Sequence, residues 1–209
     1  MRDQELFERF EPDRAEGFYT VNFQKQILSF EYNMAVQGTL FRFYVYEKSD
    51  PKRIIGTISF HHIVRGFSNS CEIGYKFSSE VHHRGYATEA LTKVLEVIFY
   101  ELQLHRVQAW VLPDNIPSIR LLNRVGFVFE GISRDYLFLH GTSMRYTVFF
   151  LRIFRLQAGI TSSRRFPRTA ARYLSLRRLK KDHDSNPFVP LLLESSPLAL
   201  CGLCQLQNH

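Results

Sequence analysis

The chain has 209 residues, 45% of them hydrophobic and 14% aromatic, enough apolar material for one domain with a sizeable core. Its formal charge of +7 is unevenly spread: residues 1–151 hold 17 basic and 17 acidic side chains, 152–181 hold ten basic and no acidic, and 182–209 three acidic and no basic, so an anionic partner such as nucleic acid can be argued only for the tail. Three cysteines (Cys71, Cys201, Cys204) are too few for a disulfide framework; the opening residues, MRDQELFERFEPDR, lack the apolar stretch of a signal peptide, and no window reaches the ~18 apolar residues of a membrane span, so a cytoplasmic protein without membrane contact is expected.

From Asp13 to about Gln37, Phe18, Val21, Ile27, Leu28 and Met34 recur at loosely helical spacing, and Gly38 is a plausible stop. Three strand-like runs rich in β-branched and aromatic residues follow, Leu40–Tyr46, Ile54–Ile63 and Cys71–Phe77, separated by turn-forming clusters around Ser49-Asp50-Pro51 and Ser68-Asn69-Ser70. Short connections predict an antiparallel meander. From Gly85 the period changes: Ala87, Ala90, Leu91, Val94, Leu95 and Ile98 predict an amphipathic helix to about Leu102. Val107, Ala109 and Val111 alternate as a strand does. Pro117 suits the first turn of a second helix through Arg124, closed by Gly126. Phe127–Phe129 and Tyr146–Ile153 read as two last strands, joined by a polar stretch with Gly141 at its turn.

Beyond Arg155 the periodicity ends in clustered Arg, Ser and Pro. Residues 1–155 therefore read as the working domain, and 156–209 as a basic tail too poor in patterned apolar residues to order itself.

The segment with most chemical content is Val81-His82-His83-Arg84-Gly85-Tyr86-Ala87-Thr88, set between a strand and an amphipathic helix. Gly85 permits a tight turn and Ala87 keeps the approach open. The first N–H groups of the helix lack intrahelical acceptors and lie at the positive end of its dipole, which suits a pyrophosphate.

This run resembles the cofactor loop of the GNAT acetyltransferase superfamily, which reads Gln/Arg-x-x-Gly-x-Gly/Ala; here it is His82-His83-Arg84-Gly85-Tyr86-Ala87, with His82 in place of the usual first residue. The resemblance extends through Gly74-Tyr75, Leu104-His105-Arg106-Val107, Asn115 to Phe127, Glu130-Gly131 and Arg134-Asp135-Tyr136, with Phe10 to Arg14 and Phe18-Tyr19-Thr20 earlier in the chain. It points to the ribosomal-protein-alanine N-acetyltransferase branch. It implies a mixed α/β fold with a mostly antiparallel sheet, flanking helices and two splayed central strands, Glu72–Lys76 and Arg106–Val111, between which acetyl-CoA lies as co-substrate. The family's first strand, ahead of the first helix, is expected to be missing.

The resemblance also distributes roles. Ile73, Gly74 and Tyr75 supply backbone contacts to the pantetheine and thioester; Arg84, Gly85, Tyr86, Ala87 and Thr88 hold the pyrophosphate; Asn115 and Ser118 contact the pantetheine arm. Glu72 is the first candidate for the base that deprotonates the amine, against an exposed strand glutamate; Asp135 is the second, against a turn residue. Many relatives protonate the leaving thiolate with a tyrosine on the second helix, but Leu122 stands there, and Ser118, one turn earlier, is the substitute, with helix capping as its ordinary alternative.

No metal is expected. His61-His62 and His82-His83 are neighbours, which on a strand point to opposite faces, and Cys201, Cys204 and His209 lie where no core surrounds them. Trp110 reads as core or tunnel wall. The expected activity is acetyl transfer to a protein N-terminus, most simply a ribosomal protein, with a weak RNA contact through the tail. The alternatives are acetylation of a small amine such as a polyamine or antibiotic, or a non-catalytic acetyl-CoA binder.

Overall fold

The computed structural model describes residues 3–152 and 198–202. A short helix, α1 (Gln4–Glu8), absent from the sequence expectation, precedes α2 (Val21–Gln37). Thr20 starts α2 by accepting the Phe23 N–H on its hydroxyl, and Gly38 ends it at φ 75°, donating its N–H to the last turn, as the sequence predicts. Then follow β1 (Phe41–Glu47), β2 (Asp50–Val64), β3 (Ser70–Phe77), a turn of tight helix at Ser79–Val81, α3 (Tyr86–Glu96), β4 (Arg106–Val111), α4 (Ile116–Arg124), β5 (Val128–Leu139) and β6 (Thr142–Arg152). A wider helical turn, Val97–Glu101, extends α3 toward the predicted end at Leu102.

A last strand, β7 (Leu198–Gly202), pairs antiparallel with β1 from Phe43↔Gly202 to Glu47↔Leu198. It lies inside the stretch expected to be an unstructured tail; residues 153–197 and 203–209 are outside the described residues. Among the described residues no strand precedes β1, whose outer edge β7 covers. No helix among them is long and apolar enough to cross a membrane.

The strand order is β5-β6-β4-β3-β2-β1-β7. All neighbours are antiparallel except β3 and β4, where α3 makes the crossover, so the expected mixed, mostly antiparallel sheet is observed. One element differs in extent. The stretch expected to be a polar connection before Gly141 is itself strand: β5 runs to Leu139 and forms a long hairpin with β6. It is an edge strand with register shifts at Phe129/Gly131 and Ser133/Leu137, and Val128, Phe129, Ile132, Tyr136 and Leu137 along it are all exposed, so they carry no alternation for a sequence to display.

The core lies between the sheet and α3 with α4. Ile58, Phe60, Leu91, Ile98, Val107 and Leu122 are fully buried there, each contributing about 1.5–3 kcal/mol by removing its side chain from water. Cys71 and Ile73 of β3, and Val107, Ala109 and Val111 of β4, face this core. By alternation Glu72, Gly74, Lys76, Gln108 and Trp110 project to the opposite face, where the Lys76 ammonium meets the Glu11 carboxylate at 3.0 Å and stands over the Phe7 ring.

Candidate active site

The parallel pairing of β3 and β4 consists of Ser70↔Arg106, Cys71↔Val107 and Glu72↔Gln108, and there it stops. β3 continues to Phe77 and β4 to Val111. From Ile73 onward β3 therefore keeps β2 on one side and, among the described residues, has no strand on the other. Backbone N–H and C=O groups along this opening need partners from elsewhere. Ile73, Gly74 and Tyr75 all lie on it.

Just past the end of β3 the chain turns into α3. Gly85 sits at φ 84°, in the left-handed region that only glycine occupies without strain, and His83 at φ 61° shapes the same loop. No side chain caps α3. Its first internal bond is Glu89 N–H to Gly85 C=O at 3.0 Å, so the N–H groups of Tyr86, Ala87 and Thr88 have no acceptor within the helix or among the described residues, and lie at its positive pole. The Arg84 guanidinium lies over the Tyr86 ring, 5.1 Å from its centre. His82, where the loop departs from the family pattern, has its Nε2 3.0 Å from the Phe77 carbonyl oxygen, which ties the loop to the end of β3.

On the core side of the opening, the Asn115 Oδ1 accepts the Ser118 N–H at 3.2 Å and starts α4. That oxygen is committed to the cap, leaving the amide NH₂ as the group able to face a ligand. The Ser118 hydroxyl is 2.7 Å from the Tyr75 hydroxyl of β3. Burial pushes the Tyr75 phenol well above its ordinary range, against the opposing pull of its bond to Ser118. Leu122 is wholly buried, so the position expected to bear a tyrosine points into the core, and the hydroxyls near the opening come from Ser118 and Tyr75.

On the other face stands Glu72, its side chain 19% exposed. Its carboxylate accepts from His61 and His62, which hold it below the usual carboxylate range, the bond to His61 outweighing the cost of burial. The Nε2 of His61 is 3.6 Å, and the Nδ1 of His62 3.1 Å, from the same Glu72 oxygen. This corrects the expectation that the two imidazoles part to opposite faces: His62 adopts φ 47°, and the β2 register shifts between His61 and Val64. Beside them Tyr136 stacks on Trp110, with ring centres 3.8 Å apart and planes within 7°, and the negative charge of Glu72 adds to burial in raising the Tyr136 phenol. Asp135, at φ 49° in the β5 irregularity, instead accepts a hydrogen bond from the Ser143 hydroxyl at 3.0 Å. Tyr136, rather than its neighbour, reaches the Glu72 face.

Two opposed half-sites result. On the core side are an uncapped helix N-terminus, a lone strand edge and a hydroxyl pair; on the other, a carboxylate held ionised between imidazoles, with an aromatic stack next to it. Tyr136 and the Tyr75 to Ser118 link were not found from sequence, because each depends on a contact across more than 25 residues of chain.

The profile of the acetyltransferase (GNAT) domain matches residues 1–128. A Bacillus subtilis protein named "Probable N-acetyltransferase YjcK" is 34% identical over 139 residues, 66% of this chain and 76% of its own length. The Escherichia coli ribosomal protein uS5-alanine N-acetyltransferase is 36% identical over 105 residues, 50% of this chain and 54% of that protein. Among solved structures, Mycobacterium smegmatis RimJ in complex with CoA-disulfide superimposes with a TM-score of 0.68 at 27% identity, covering 84% of this chain and 80% of that one.

Proposed function

The chain belongs to the GNAT acetyltransferase family and is an N-acetyltransferase, and from that premise we propose that it moves the acetyl group of acetyl-CoA to the N-terminal amine of a ribosomal protein. The observation that carries this reading is the three-pair contact of β3 and β4, which opens beside the uncapped N-terminus of α3. The similarity to the uS5-alanine enzyme supports the choice of acceptor.

Acetyl-CoA brings an activated thioester; the chain supplies everything else. Arg84 and the N–H groups from Gly85 to Thr88 hold the pyrophosphate. The free edge of β3 at Ile73, Gly74 and Tyr75 takes the pantetheine amides and polarises the thioester carbonyl, and Asn115 meets the same arm. Glu72 faces the acceptor and accepts the proton that the amine sheds as its nitrogen bonds to the carbonyl carbon. As the carbon–sulfur bond breaks, Ser118 donates its proton to the thiolate, supported by the Tyr75 hydroxyl 2.7 Å away. This chemistry is assigned to residues 1–155, in the cytoplasm, and the eight basic residues of 156–181 are the candidate contact with ribosomal RNA.

The test is acetyl transfer from labelled acetyl-CoA to peptides copying ribosomal protein N-termini, with spermidine as the competing acceptor. Label on the peptide α-amine is the expected result. Transfer to spermidine alone would move the acceptor to small amines, and binding of acetyl-CoA without CoA release on any acceptor would make the protein a binder.

A further inference from the structure

Adjacent residues on a regular strand cannot serve one ligand, because their side chains leave opposite faces. β2 escapes that rule. Between the pairs His61↔Glu72 and Val64↔Ser70, two residues of β2, His62 and Ile63, stand opposite the single residue Cys71 of β3, a bulge that re-aims side chains. His62 takes a left-handed backbone, φ 47°, disfavoured for any residue with a Cβ. Both imidazoles then lie beside Glu72, edge to face with ring centres 4.9 Å apart.

One imidazole suffices to orient a carboxylate; here a second is brought in through a strained residue. One nitrogen of each imidazole and a Glu72 oxygen all lie within 4.8 Å of one another. A tetrahedral ion with bonds near 2.0–2.1 Å holds its ligand atoms roughly 3.3 Å apart, and the two nitrogen-to-carboxylate separations, 3.1 and 3.6 Å, bracket that spacing. Two imidazole nitrogens with one carboxylate oxygen are a donor set for zinc and similar divalent ions, not for calcium or magnesium, which take oxygen throughout. The His62 side chain is 72% exposed, so an ion reaches the cluster without opening the fold.

We propose that His61, His62 and Glu72 form a binding site for a divalent transition-metal ion of the zinc type, with one coordination position left to solvent, and that occupancy halts acetyl transfer. The inhibitory half rests on the assignment of Glu72 as the group that faces the acceptor amine: a carboxylate bonded to the ion no longer accepts its proton. The binding half stands on the geometry alone.

Full-length protein stripped of metal with a chelator is titrated with Zn²⁺ by calorimetry and with Co²⁺ by absorption. Imidazole and carboxylate ligation is expected to give visible cobalt bands without the near-ultraviolet sulfur band that Cys201 and Cys204 would add. His62→Asn tolerates the left-handed backbone but lacks the ring; it and His61→Gln are expected to weaken both metals at least about tenfold, or ~1.4 kcal/mol, with unchanged circular dichroism. Zn²⁺ is expected to inhibit transfer reversibly, and His62→Asn to need about tenfold more for the same inhibition. A sulfur band, binding indifferent to His62→Asn, or no saturable binding overturns the site. Saturation with Zn²⁺ without inhibition overturns the regulatory half. The cobalt spectrum reads the site without acetyl transfer, so its failure is distinguishable from a failure of Glu72 as the base.

Discussion

The Tyr75 hydroxyl on β3 lies 2.7 Å from the Ser118 hydroxyl on α4, joining strand and helix across the mouth of the sheet opening. Because burial raises the Tyr75 phenol, it keeps its proton and can donate to Ser118, freeing the serine proton for a leaving thiolate. Ser118→Ala is therefore expected to lower kcat at least about tenfold while acetyl-CoA affinity stays near the parent value. Tyr75→Phe is expected to have a smaller kinetic effect and to cost about 1 kcal/mol of stability. Rates of CoA release and thermal midpoints check both; parent turnover in Ser118→Ala would move the acid elsewhere.

Glu72→Gln removes the carboxylate but keeps its shape, and is expected to slow transfer ~10²-fold with acetyl-CoA binding intact. Asp135, engaged with Ser143 on the hairpin, is expected to tolerate Asn. Single-turnover rates of the two variants decide between them, and a slow Asp135→Asn beside a fast Glu72→Gln would reverse the assignment.

At Gly85 no atom among the described residues beyond its own chain neighbours stands within 4 Å of where a Cβ would be, but φ is 84°. A glutamate there strains the turn and sets a negative charge at the helix pole. Gly85→Glu is expected to weaken acetyl-CoA binding about tenfold or more, ~1.4 kcal/mol, by calorimetry.

Cys71 is 1% exposed, and burial pushes its thiol up to about 12 from an ordinary 9.0. Below pH 9 both folded and unfolded chains keep the proton; between 9 and 12 only the unfolded thiol ionises, so stability falls with rising pH across that window. Cys71→Val is expected to flatten this alkaline loss in urea titrations. In the native protein at pH 8, mass spectrometry of alkylated peptides is expected to show Cys71 reacting on the order of a hundredfold more slowly than in urea.

Truncation after Arg155 removes β7 and with it the pairing along the outer edge of β1. That edge is separated from β3 by β2, so the shortened chain is expected to melt at a lower temperature yet still acetylate a short peptide. Any loss of ribosome association is expected to fade as salt rises, because phosphate contacts release counterions. A folded but inactive truncation would bring residues beyond Arg155 into the enzyme.

The elements that bury one face were legible in the sequence. The three- and four-residue spacing from Ala87 to Ile98 marks α3 because those residues fill its core face, and Gly38 marks the end of α2 because the stop needs a left-handed residue. The β5 extension was not legible, since an exposed edge strand places no demand on side-chain alternation. At the candidate site, the tight turn at Gly85 and the start of α3 followed from local chemistry. The convergence of His61 and His62 did not, because it arises from a bulge, and a bulge overturns the alternation from which strand faces are deduced. Alternation likewise gave no sign that Tyr136, and not Asp135, stands by Glu72.

A sheet joined across its middle by three residue pairs is two plates meeting along a short seam. Each plate has its own antiparallel ladder, β1 to β3 on one side and β4 to β6 on the other, while α3 ties them at the back. On the proposed reading, a co-substrate bonded to the free margin of β3 would act as mortar as well as reagent, lengthening the seam while it is held. Release of CoA would shorten it again, and the cohesion of the two plates would then rise and fall once in every turnover.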